Sequence, residues 1–146
     1  MTRDEQLRNL IASDIFAVSN MAAHYDVDVP DDIVEFQLEW FDFGPNDVTS
    51  YSFEELQELA EETLKLLDEN PAVCKEPTVQ LPIRQLKKMI GKTYEEVKKD
   101  RASQIELWSD SRNIGSMGIN AFLSKHGSSE EFLEARRVIE AMLGSF

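Results

Sequence analysis

One cysteine, two histidines and six glycines are all that this chain of 146 residues offers to the chemistries those residue types usually serve. Cys74 stands alone, which excludes an internal disulfide framework and a thiolate zinc site drawn from this chain. His24 and His126 are far apart in sequence, and His126 precedes Gly127, where an imidazolium would favour a helix C-terminus rather than do proton chemistry. None of the glycines falls into a P-loop, a G-x-S-x-G elbow or a G-x-G-x-x-G fingerprint, and Gly115-Ser116-Met117-Gly118 is too short to cradle a phosphate. These absences point away from an enzyme, and neither a cofactor nor a metal is expected. Long apolar runs are missing as well. No stretch approaches the ~20 residues a membrane span requires, and the opening Met1-Thr2-Arg3-Asp4-Glu5 is unlike a secretory signal, so a cytoplasmic protein without membrane contact is expected.

Positive charge is scarce in one half only. Residues 1–70 carry 18 Asp and Glu against three cations, Arg3, Arg8 and Lys65, for a net charge of −15. Residues 71–146 carry 10 against 12, for a net charge of +2, so the chain's −13 belongs to its first half. Such a field speeds encounter with basic partners and repels phosphates and anionic membranes, both effects weakening with salt. A direct nucleic-acid contact by the first half is therefore not expected.

What is present is a globular composition, 42% hydrophobic with eight Phe and two Trp, in a length that suits a single domain. The pattern predicts an all-α, compact bundle of about seven helices. Thr2-Arg3-Asp4-Glu5 reads as a capping box ahead of Leu7, Leu10, Ile11, Ile15, Val18 and Ala22 at helical spacing, and Ser52-Phe53-Glu54-Glu55 opens a second such helix running to Glu69. Residues 71–81, with Pro71 and Pro77 and with Pro82 just beyond, read as a loop joining the acidic half (1–70) to the near-neutral half (82–146). After it come a short helix over Ile83 to Ile90, one from Thr93 to about Trp108, one carrying Ile119, Phe122 and Leu123, and a last one capped by Ser128-Ser129-Glu130-Glu131 with Phe132, Leu133, Ala135, Val138, Ile139 and Met142.

The segment Ile33 to Phe43 admits two readings. Val34, Phe36, Leu38 and Trp40 alternate with Glu35, Gln37 and Glu39 at the period of a strand, which would make residues 33–53 a β-hairpin in an α+β fold, turning at Gly44-Pro45-Asn46-Asp47. Pro30-Asp31-Asp32 ahead of it and Gly44-Pro45 behind it argue for a helix instead. As a helix it gathers Glu35, Glu39 and Asp42 on one side and leaves an apolar arc too broad for one helix contact, the remainder being suited to a dimer or partner contact.

One constellation stands out. At 100° per residue, Glu54, Glu55, Glu58, Glu61, Glu62, Asp68 and Glu69 fall within about 140° of one helix face, opposite the leucines. Seven carboxylates over fifteen steps of ~1.5 Å give one negative charge per ~3–4 Å, close to the ~3.4 Å spacing along one DNA strand. A solvated face needs no such excess, because like-charge neighbours such as Glu54 with Glu58 each cost a few tenths of a kcal/mol, roughly. Asp26, Asp28, Asp31 and Asp32 crowd a loop but lack EF-hand spacing, since Pro30 takes a ligand position and Asp31 the glycine. They are read as helix-capping rather than metal-binding residues.

These features lead to a non-enzymatic protein-binding or inhibitor protein whose acidic stripe docks on a basic partner, in its sharpest form a nucleic-acid mimic that blocks a nucleic-acid-binding protein. Two alternatives compete. Residues 84–101, with Gly91 in a turn and Arg84, Lys87, Lys88, Lys92, Lys98, Lys99 and Arg101 around it, would suit a helix-turn-helix DNA-binding regulator. The broad apolar arc would suit an oligomeric assembly or chaperone subunit, with a homo-oligomer as partner.

Overall fold

The computed structural model describes residues 2–44, 46–112, 114–134 and 136. Among them there is no strand. The helices are α1 (Arg3–His24), α2 (Asp31–Phe41), α3 (Phe53–Glu69), α4 (Pro77–Met89), α5 (Tyr94–Asp100), α6 (Ala102–Arg112), α7 (Ile114–Met117) and α8 (Ile119–His126), with a 3-10 turn at Pro71–Lys75. The fold is thus all-α, and the hairpin alternative for residues 33–53 is not needed.

α1 is the axis of the molecule. It packs against α4 and α3 most extensively and against α2 and α6 as well. Enclosure on so many sides explains why its buried residues are spread around the helix: Leu7, Ile11, Ile15 and Val18 are joined by the polar Asn9, Asp14 and Ser19. α3 is amphipathic in the ordinary way, burying Leu56, Leu59, Ala60, Thr63, Leu66 and Leu67. Three capping boxes start α1, α3 and α5: Thr2 with Glu5, Ser52 with Glu55 and Thr93 with Glu96 exchange side-chain and backbone hydrogen bonds.

The region 46–51 is a loop because its backbone groups are satisfied by side chains rather than by a partner strand. Asn9 donates to the Asp47 carbonyl at 2.9 Å and accepts from the Thr49 N–H at 2.9 Å, while Arg8 donates to the carbonyls of Thr49 and Tyr51. Glu39 accepts from the Ser50 N–H at 3.0 Å. A ladder between residues 33–43 and 48–53 would compete for the same groups.

Two expectations need correction. Residues 71–81 are not an open loop: Pro71 opens the 3-10 turn and Pro77 opens α4, both at positions where a missing N–H costs nothing. Pro82 lies inside α4, and the helix continues through it because Val79, Ile83, Leu86 and Met89 stay in phase on the core. The single helix expected from Thr93 to about Trp108 is divided at Arg101, whose backbone (φ −97°, ψ 1°) leaves the helical range. Residues 130–134 are helical, and Ser129 Oγ accepts from the Phe132 N–H at 3.2 Å, as the capping pattern predicts. Ala135, Val138, Ile139 and Met142 of that last helix lie outside the described residues, as does Pro45 of the alternative turn.

Candidate functional site

The predicted stripe is exposed along most of its length. Glu54, Glu55, Glu58, Glu61, Asp68 and Glu69 of α3 all face solvent. Glu55 accepts from the Ser52 N–H at 3.0 Å as part of the capping box. Glu54, Glu58, Glu61, Asp68 and Glu69 form no salt bridge or side-chain hydrogen bond among the described residues. Their charge is therefore left for solvent or a partner to neutralise.

Glu62 departs from the expected picture. It is half-buried, and no donor among the described residues reaches its buried Oε2. Its neighbour is Asp32 on α2: the hydrogen bond to that carboxyl, then burial, then the Asp32 charge push the Glu62 carboxyl up to about 7. Rather than a free member of the stripe, Glu62 is the seam where the acidic faces of α2 and α3 meet.

That seam reveals what the sequence pattern alone did not join. Tyr51, edge-on to Phe36 with ring centroids 5.4 Å apart, lies in the loop between α2 and α3. Burial raises its phenol pKa, and the fields of Glu39, Glu35, Glu55 and Asp32 raise it further, so the negative fields of both helices overlap at this residue. On α2 itself, Asp31, Asp42, Glu35, Glu39 and Asp32 occupy an arc of about 100°. No lysine or arginine lies anywhere between Arg8 and Lys65 to interrupt this field. Helical geometry put Glu35, Glu39 and Asp42 together beforehand; their continuity with α3 needed the tertiary contact.

Beside its acidic edge α2 shows an apolar ridge. Ile33 and Phe36 point inward and are buried, but Val34 (38% exposed), Leu38 (61%) and Phe41 (66%) point outward. Phe41 is steadied from behind by an edge-on contact with Phe16, centroids 5.1 Å apart. This is the uncovered remainder that a helical reading of the segment implies. Elsewhere, Leu10, Trp40, Leu107, Phe122 and Phe132 line an open apolar depression of about 510 Å³.

The basic segment 84–101 is differently disposed. The turn at Gly91 has the left-handed backbone (φ 75°) that its lack of a Cβ permits. Four of the seven cations are engaged by the chain's own carboxylates. Arg84 pairs with Glu134 at 2.9 Å, Lys92 with Asp100 at 3.0 Å and Lys98 with Asp4 at 3.0 Å. Arg101, only 2% exposed, is held by Asp14 at 2.6 Å in the core. It faces away from any phosphate, and α5, which would be the reading helix, spans seven residues.

His126 is buried and bonded to Asp110 at 2.7 Å; Lys125 also reaches Asp110 at 2.9 Å, and the hydrogen bonds from Lys125 and with His126 hold the Asp110 carboxyl below its ordinary range. Among the described residues no three His, Cys, Asp or Glu side chains are grouped to hold a metal ion, and no helix is long and apolar enough to cross a membrane. Asp32 donates no such ligand; its Oδ1 accepts from the Ile33 N–H at 3.0 Å. No family model matches the chain, and neither a curated protein nor a solved structure matches it.

Proposed function

We propose that this is a non-enzymatic, cytoplasmic binding protein that docks its α2–α3 acidic face on a basic surface of another protein and so inhibits that protein. The observation that supports this most is the run of exposed α3 carboxylates, Glu54, Glu58, Glu61, Asp68 and Glu69, that no cation among the described residues neutralises. Leaving like charges adjacent costs stability, and a basic partner would recover it on binding. With Glu62 set aside, the six exposed carboxylates still give one negative charge per ~4 Å of axis, near the ~3.4 Å of one DNA strand, so a nucleic-acid-binding protein is the partner class with the best fit, the stripe standing in for phosphates.

The test is capture from cell lysate at low salt with identification by mass spectrometry, followed by elution in high salt. A basic nucleic-acid-binding protein should be retained, released by salt and displaced by duplex DNA. The variant with Glu54→Gln, Glu58→Gln, Glu61→Gln and Glu62→Gln should lose it while keeping its helical circular dichroism. Retention by that variant equal to the parent's would reject the stripe as the binding face.

A further inference from the structure

The apolar ridge of α2 is solvent-exposed, and its Leu38 and Phe41 are more open than Ile119, Leu123 and Leu133, the exposed aliphatic residues of the second half. Val34, Leu38 and Phe41 follow one another at i, i+4 and i+7, the spacing at which one helix presents a continuous strip to another. Placed at 100° per residue they cover an arc of about 60°, and Asp31, Asp42 and Glu35 border it directly on one side. The opposite side leads back into the molecule through Gln37, which donates to Ser19 of α1 at 2.9 Å. The strip thus has an apolar centre and one acidic rim.

We propose that this strip seats a basic amphipathic helix of the partner, apolar side chains on Val34, Leu38 and Phe41, and lysines or arginines over Asp31, Glu35 and Asp42. The inference rests on the basic-partner reading above and adds the shape of the contact to it. Charge complementarity selects this occupant over a second copy of the chain. Two α2 strips packed antiparallel would bring their acidic rims together, and packed parallel each rim would meet a helix with no lysine or arginine to offer it. Burial of aliphatic side chains supplies an affinity term that salt does not screen, whereas the rim supplies one that it does.

Two synthetic peptides of equal length and lysine content separate the possibilities. One is an amphipathic helix with leucines at i, i+4 and i+7 flanked by lysines; in the other, serines replace the leucines. Against the full chain, titration calorimetry should find the leucine peptide at least ~10-fold tighter, an advantage that persists at high salt. Leu38→Ala and Phe41→Ala, each verified by an unchanged helical circular dichroism because Phe41 also touches Phe16, should abolish the advantage while the weak, salt-sensitive binding of the serine peptide persists. Equal binding of both peptides, or an advantage that survives both alanine changes, overturns the proposal while the acidic-face reading stands. If neither peptide binds at low salt, both readings fall. A dimer of the chain alone, dissociated by Phe41→Ala in sedimentation, would place a second copy on the strip and overturn the proposal as well.

Discussion

Carboxyl groups that meet across a helix interface must either find a cation or hold a proton more tightly, and Glu62 does the second. Its carboxyl, pushed up to about 7 beside Asp32, is protonated more readily in the folded chain than in the unfolded one. The sign follows by linkage: its contribution is full below the ordinary glutamate range and is lost as pH rises through about 7. Thermal melts between about pH 5 and about pH 9 should show the parent losing stability across that interval, and Glu62→Gln should flatten the loss. An equal slope in the variant would dissociate the pair from the effect. Arg101 is the second residue whose environment decides its role. Replacing it by Ala would strand the Asp14 carboxylate in the core and should cost ~3–5 kcal/mol in urea unfolding. Converting the pair together, Arg101→Met with Asp14→Leu, should restore most of that loss, because the desolvated charge is removed with its partner. Sequence reading placed Arg101 among residues able to meet phosphate. It did so because a linear pattern records charge but not whether the side chain turns inward.

At the scale of elements, legibility followed how local the determining interaction was. The capping boxes of α1 and α3 involve residues three apart and were visible as Thr2/Glu5 and Ser52/Glu55, and Thr93 was visible as the start of a helix, its box with Glu96 having the same spacing. α2 was ambiguous because apolar residues occupy two of its faces: Ile33 and Phe36 belong to the core, and Val34, Leu38 and Phe41 do not. Superposing those two sets produces an apparent alternation of period two. The prolines misled in the opposite direction. Pro71 and Pro77 announce a break, yet each begins an element, and nothing short of the Val79–Ile83–Leu86 packing shows that α4 continues past Pro82. The loop between α2 and α3 depends on Asn9, a buried residue of α1 that bonds the backbone of Asp47 and Thr49. Asn9→Ala should cost ~1–3 kcal/mol by leaving those groups unpaired. Hydrogen exchange should locate the damage in residues 47–51 and leave α3 protected.

For the whole molecule, the acidic surface is the product of two helices rather than of the one whose heptad-like spacing announced it. Glu54 to Glu69 could be read from α3 alone, but the joining of that face to Asp32, Glu35 and Glu39 depends on the packing of α2 against α3, which no local pattern encodes. Salt should therefore act on this protein twice. Raising ionic strength should weaken its hold on a basic partner and, by screening the crowded carboxylates, raise its melting temperature, both of which thermal melts and binding titrations in a sodium chloride series would check.

The position of α1 has a further consequence for how the chain comes into being. Its apolar surfaces are covered by α3, α4 and α6, all of which follow it during synthesis. Until α4 and α6 have emerged, part of the apolar surface of the first helix stays uncovered, and folding must wait for contacts distant along the chain. A net charge of −15 on residues 1–70 disfavours association between such half-made chains.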